Sequence, residues 1–179
     1  IAVLSTADFA PPGHFIPYLA NLTPNGVVVW QDTYALDAVA NNAARTNVWV
    51  DTDNTIIFGA SLTAFVGTII VDGPVRISSD GATVSARYTT SSAAHSFNGE
   101  SGLVVDGSGG VYYSNGGGVF IKLNSSFAFQ WGKTIAGGNF EGKSTATNGT
   151  DIYLAGMEDE ERIVLIKWTS AGAVTWARY

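Results

Sequence analysis

Acidic side chains at alternate positions are the first residues here that could do chemistry. Asp51-Thr52-Asp53-Asn54-Thr55 offers an oxygen donor at every second residue, the kind of run that wraps a Ca²⁺ ion. It has neither the central glycine nor the distal glutamate of a strong calcium loop, and Asp, Asn and Thr are also the residues of a tight turn. Asp51 and Asp53 are therefore the metal-ligand candidates, weighed against a plain turn between two strands. Glu158-Asp159-Glu160-Glu161 gathers four acids, a like-charge run of the kind that faces water at a hairpin tip. His14 and His95 are the two histidines. A catalytic base needs partners in mutual geometry, and neither histidine has a serine and an aspartate grouped around it, so both read as loop or packing residues. Trp49, Tyr112, Tyr113 and Tyr153 lie near expected inner strands. Aromatic faces beside Asn/Asp loops suit a sugar-like ligand, and core packing accounts for the same residues. No catalytic grouping emerges, and no cofactor is implied.

The elements that hold these residues come from an internal repeat. Val164 to Tyr179 reads as strand, tight turn, strand, with Gly172 four residues before Trp176. Ile121 to Trp131 lines up with it without a gap, as does Val75 to Tyr88, whose Ala86-Arg87-Tyr88 repeats Ala177-Arg178-Tyr179. Ala20 to Trp30 is the first copy. The anchors Gly26, Gly81, Phe127 and Gly172 recur about every 45–55 residues, the spacing of propeller blades built from four short strands. A second phrase, a short apolar run ending in glycine, precedes each hairpin: Ile152 to Gly156, Tyr112 to Gly116 and Thr55 to Gly59. Within the hairpins Ile121 and Leu123 share one face, as do Ile166 and Trp168. Lys122 and Lys167 take the other, in a column with Arg76 and Asn21. Trp30, Trp131 and Trp176 recur with the blade and are expected as plugs between stacked sheets.

The expected fold is all-β: a β-propeller-like repeat of about four blades with four antiparallel strands each. The blades fall at approximately 1–37, 38–90, 91–139 and 140–179, within a single domain. The first blade lacks an inner strand. Asp8 to His14 reads as a loop, 37–44 as a short helical turn, 47–50 and 102–106 as inner strands, and Pro24-Asn25-Gly26 as a hairpin turn. Bare strand edges invite pairing, so either the chain is a segment of a larger propeller or a neighbouring chain covers the edge.

Composition narrows the function classes. Hydrophobic residues make up 46% and charged ones 13%, as fits sheets buried on both faces, and 21 glycines serve many turns. There is no cysteine, hence no disulfide framework and no thiolate metal site. A net charge of −6 with nine dispersed Lys and Arg argues against nucleic acid, which needs a clustered basic surface. No apolar run approaches the roughly 20 residues of a spanning helix. The sequons at Asn21, Asn124 and Asn148 all fall at expected turns, where Asn and Ser/Thr belong anyway.

At these residues the chain resembles the SBBP-type β-propeller repeat family. It shares the apolar run ending in glycine, a variable tip, a strand like Ile166-Lys167-Trp168, Ser/Thr-x-Gly, and tryptophan four residues on. The resemblance is good over 98–179, fair over 47–90 and weak over 1–37. It implies a propeller in a bacterial extracellular or phage virion protein, with a structural or binding role and no catalytic residues.

The function expected is a non-enzymatic structural or binding module of an extracellular or virion-surface assembly. It would present loops to a protein partner or a surface glycan, with self-association through open strand edges. The alternative is a propeller-type glycan hydrolase or lyase, which needs paired carboxylates converging on the central axis. Asp51, Asp53 and Asp106 are the acids near inner strands.

Overall fold

The computed structural model describes residues 2–9, 14–33, 48–51, 53–62, 71–87, 102–114, 118–135 and 139–179. The stretch 37–44, the connector 91–94 and His95 lie outside the described residues. The chain divides into two compact units, Ile1–Gly99 and Glu100–Tyr179, and each holds two antiparallel sheets.

In the first unit, β1 (Ala2–Phe9), β2 (His14–Leu22) and β3 (Val28–Thr33) form a three-stranded sheet in sequence order. β1 and β2 pair from Ala2↔Asn21 to Phe9↔His14. Asp8, Phe9 and His14, expected in a loop, are thus strand residues, because backbone pairing runs on as far as Phe9 opposite His14. The second sheet is β4 (Val48–Val50), β5 (Ile56–Leu62), β6 (Val71–Ile77) and β7 (Val84–Arg87), again a simple meander. Its core is Ile56, Ile57, Phe58, Val75 and Ile77, all buried.

In the second unit, β8 (Leu103–Val105), β9 (Val111–Ser114), β10 (Val119–Leu123) and β11 (Phe129–Thr134) make the third sheet. The fourth is β12 (Phe140–Thr147), β13 (Asp151–Glu158), β14 (Arg162–Thr169) and β15 (Val174–Arg178). The sequence runs differ as the burial does. Leu103-Val104-Val105 and Val111-Tyr112-Tyr113 are apolar or aromatic throughout and buried throughout, the mark of strands covered on both faces. Along β13 burial alternates residue by residue, with Ile152, Leu154 and Gly156 inward. On β14, Val164, Ile166 and Trp168 are buried while Ile163 and Leu165 are exposed. The fourth sheet therefore keeps one face open.

Trp168, on the buried face of the fourth sheet, stands 5.4 Å from Phe120 and 6.3 Å from Trp131 of the third, ring centre to ring centre. Aromatic contacts at these separations join the two sheets of this unit. The acidic tip differs from its expectation at one residue. Glu158 ends β13, is buried and pairs with Arg162 at 2.8 Å; Asp159, Glu160 and Glu161 remain exposed. The inward phase of β13 carries its last residue to the covered side whatever its charge.

Candidate functional site

The acids read as metal candidates are turn residues. The Asp51 N–H donates to the Thr55 carbonyl and the Asn54 N–H donates back to the Asp51 carbonyl, closing the β4–β5 connection. Asp53 Oδ1 accepts from the Thr55 hydroxyl at 2.6 Å and the Thr55 N–H at 2.9 Å. Those two bonds, the hydroxyl first, hold the Asp53 carboxyl below its ordinary range. Asp106 opens the β8–β9 turn in the same way. Its Oδ1 accepts from Ser108 and Gly110 and its Oδ2 from the Tyr112 hydroxyl at 2.8 Å. No group of three or more His, Cys, Asp or Glu that could hold a metal is found among the described residues.

The aromatic candidates differ in burial. Tyr112 and Tyr113 are fully buried and offer no face to a ligand; the apolar strand that carries them is covered on both sides. Trp49 is half-buried on β4, in the first unit. Tyr153 is half-buried on the open face of the fourth sheet.

That open face belongs to a contact that the chain makes repeatedly. Four outer hairpins turn through Thr23–Gly26, Ser78–Gly81, Asn124–Phe127 and Thr169–Gly172, and in each the last residue's N–H donates to the first residue's carbonyl at 2.9 Å. The first side chain accepts a backbone N–H from across the turn: Val27 to Thr23 Oγ1, Thr83 to Ser78 Oγ, Ala128 to Asn124 Oδ1, Ala173 to Thr169 Oγ1. The last residue adopts positive φ, +80° at Gly26, +76° at Gly81, +60° at Phe127 and +82° at Gly172. Glycine suits such a position because it has no Cβ to clash.

Its bare face is also where an indole sits. A Cβ built on Gly81 would lie 2.6 Å from the Trp30 ring of the preceding sheet, and one on Gly172 would lie 2.9 Å from the Trp131 ring. The turn's second carbonyl is taken as well: Trp30 Nε1–H donates to Ser79 O at 3.0 Å, and Lys122 Nζ donates to Ser170 O at 2.9 Å. The receiving surface is a cross-strand row. In the third sheet it is Tyr112, Lys122 and Trp131, directly opposite one another, with the Lys122 ammonium 5.1 Å from the Tyr112 ring centre.

The fourth sheet carries the same row as Tyr153, Lys167 and Trp176. Tyr153 and Trp176 stand 6.3 Å apart, and the Lys167 ammonium lies 5.8 Å from the Tyr153 ring centre. Within this unit the turn glycine Gly172 lies against the Trp131 ring, not against Trp176. Lys167, whose counterpart bonds a turn carbonyl, here pairs with the Asp151 carboxylate at 2.9 Å. That hydrogen bond raises the Lys167 pKa and lowers that of Asp151. Sequence reading singled out Tyr153 and missed its partners Asp151 and Lys167. The recurrence of Lys122 and Lys167 in one column was the available signal.

One register differs from the gap-free alignment. The second sheet's turn closes by Ser78 N–H to Thr83 O, one residue later than Thr169 N–H to Ala173 O. Ala86 then stands opposite Arg76, where Trp176 stands opposite Lys167. The match of 86–88 to 177–179 is thus displaced by one residue, because the longer turn absorbs Ala82.

No family model matches the chain and no curated protein matches it, so the resemblance to SBBP-type repeats rests on the residues quoted for it. Among solved structures the chain is similar to BamB from Moraxella catarrhalis, at 12% identity and TM-score 0.59 over 99% of this chain and 50% of that one. It is also similar to a DUF4623 family protein from Bacteroides eggerthii, at 15% identity and TM-score 0.51 over 96% of this chain and 40% of that one. Such identities carry the fold alone. The fold is β-propeller-like and all-β, and the chain spans about half the length of the first of these proteins or less.

Proposed function

We propose that the chain is a non-enzymatic structural and binding module of an extracellular or virion-surface assembly, engaging a protein partner through the open face of its fourth sheet. The observation that carries the reading is the row Tyr153–Lys167–Trp176, which repeats a surface that in the third sheet receives a hairpin turn. A row of two aromatic faces and a lysine recognises a turn's flat backbone and its outward carbonyls. A glycan-active enzyme would need free paired carboxylates. Asp53 and Asp106, two of the three acids near inner strands, are bound to their own turns.

Lysine-directed cross-linking on intact cells or particles tests this reading. Links from Lys167 or Lys143 to another polypeptide, with the chain open to added protease, are the expected result. A chain shielded from protease, or free of cross-links, would overturn it. Oligosaccharide cleavage that vanished in Asp51→Asn would favour the enzyme instead.

A further inference from the structure

We infer that Asn25 is a site of spontaneous deamidation, through a succinimide closed with Gly26, and that the same dipeptide at Asn148-Gly149 is held against the reaction by its turn. The inference is independent of the binding reading above. Asparagine followed by glycine leaves the side-chain amide open to attack by the next backbone nitrogen, because glycine has no Cβ to shield that nitrogen. The chain has four such pairs, of which Asn98-Gly99 and Asn115-Gly116 lie outside the described residues.

The step needs only the chain and water. The Gly26 nitrogen gives its proton to hydroxide and bonds to Asn25 Cγ. The Cγ–Nδ2 bond breaks, and the nitrogen leaves as ammonia after taking a proton from water. The product is a cyclic imide, and water then adds to one of its two carbonyls. Opening at Cγ leaves aspartate in an ordinary chain. Opening at the backbone carbonyl leaves isoaspartate, with the chain running through Cγ.

Asn25 and Gly26 are exposed at the β2–β3 tip. The Asn25 side chain has no hydrogen bond among the described residues, and a Cβ built on Gly26 would meet no described atom within 4 Å. The bond that closure must part is the one from the Gly26 N–H to the Thr23 carbonyl, at 2.9 Å. A single exposed turn bond opens locally at small cost.

Asn148 and Gly149 are exposed too, and Gly149 also has positive φ, +94°. The bonding is what differs. Asn148 Oδ1 accepts from the Thr150 N–H at 3.0 Å and from the Asp151 N–H at 2.8 Å. The Gly149 N–H, the attacking group, donates to the Thr147 hydroxyl at 2.9 Å. The leaving nitrogen, Nδ2, stands 3.4 Å from the Asp151 carboxylate, whose charge opposes the anion that must form beside it. The two donors on Oδ1 polarise the carbonyl, which by itself favours attack. Turning the side chain onto the Gly149 nitrogen parts both of them and the Thr147 bond together, and the sum of those losses is the larger effect.

Conversion at Asn25 has a structural consequence. Isoaspartate lengthens the backbone of a turn whose ends pair Leu22 with Val28, and either product adds a negative charge to a chain already at −6.

Peptide mapping by mass spectrometry tests the inference on the 179-residue chain at mildly alkaline pH, folded and in urea. The readout is the exchange of NH2 for OH in each Asn-Gly peptide over time. In urea Asn25 and Asn148 should convert alike. In the folded chain Asn25 should convert about tenfold faster than Asn148 or more. Thr147→Val removes the acceptor of the Gly149 N–H and should raise the Asn148 rate severalfold. An unchanged Asn25 rate in that variant shows that the fold is intact. Equal rates at the two sites of the folded chain overturn the inference. So does an Asn25 that stays intact in the folded chain while it converts in urea, or an Asn148 rate unmoved by Thr147→Val.

Discussion

Gly26 and Gly81 share a backbone conformation and differ in what stands over them, which separates two effects at the scale of single residues. Alanine at either position must adopt positive φ, at a cost of about 1–2 kcal/mol. At Gly81 the new Cβ also meets the Trp30 ring at 2.6 Å, and such overpacking adds about 1–3 kcal/mol. Urea denaturation should therefore show the larger loss for Gly81→Ala, and equal losses would mean that Trp30 is not held against the turn. At Asp106, burial pushes the carboxyl pKa up, but hydrogen bonds from Ser108, Tyr112 and Gly110 outweigh it and leave the value lowered from 3.8. A folded pKa below the unfolded one contributes stability that is present above the unfolded value and lost as pH falls through the folded one. Tyr112→Phe withdraws one donor, so it should cost about 1–3 kcal/mol at neutral pH. It should also flatten the fall in stability from neutral pH into acid, which denaturation midpoints along a pH series would read. Burial and the neighbouring Asp106 raise the Tyr112 phenol far above its ordinary value, so it remains a donor throughout such a series.

At the scale of the element, the outer hairpin is one design with two edited copies. The Ser78–Thr83 turn is a residue longer than the others, and Ala82 is the surplus. Deleting Ala82 restores the common closure and leaves Ala86 opposite Arg76, so the denaturation midpoint should barely move. Deleting Ala173 instead shifts β15 by one residue and exchanges its faces, carrying Trp176 off its row, and should cost far more. Phe127 sets two effects against each other. Phe127→Gly relieves about 1–2 kcal/mol of positive-φ strain and loses a buried ring worth about 3–5 kcal/mol, so the net effect should be destabilising. A gain in stability would mean that the ring fills no space of consequence. The hairpins and their period were legible in the sequence because glycine, asparagine and alternating apolar residues respond to local backbone demands. The extra residue at Ala82 was not, because a loop can absorb one residue without altering any local pattern.

At the scale of the whole molecule, the proposed binding of a protein partner couples stability to that partner. Because mass action favours a folded state that binds, the chain on intact particles should melt at a higher temperature than the isolated chain, and Trp176→Ala should narrow the difference. Calorimetry in both settings reads this, and equal melting temperatures would count against the binding reading.

The sequence by itself determined the all-β class, the blade-like repeat and the positions of its turns, since strand pairing and turn geometry are encoded within a few residues. Only the tertiary structure decided which members of a repeated column are covered. Tyr112 and Tyr153 occupy the same place in their rows, yet one is sealed in the core and the other half-open, because the fourth sheet lies over the third. Coverage depends on what packs against a face from elsewhere in the chain, and no local pattern around a tyrosine records that. The same reason separates Gly26 from Gly81: both close their turns at a similar positive φ, and among the described residues only Gly81 has an indole from another strand above it.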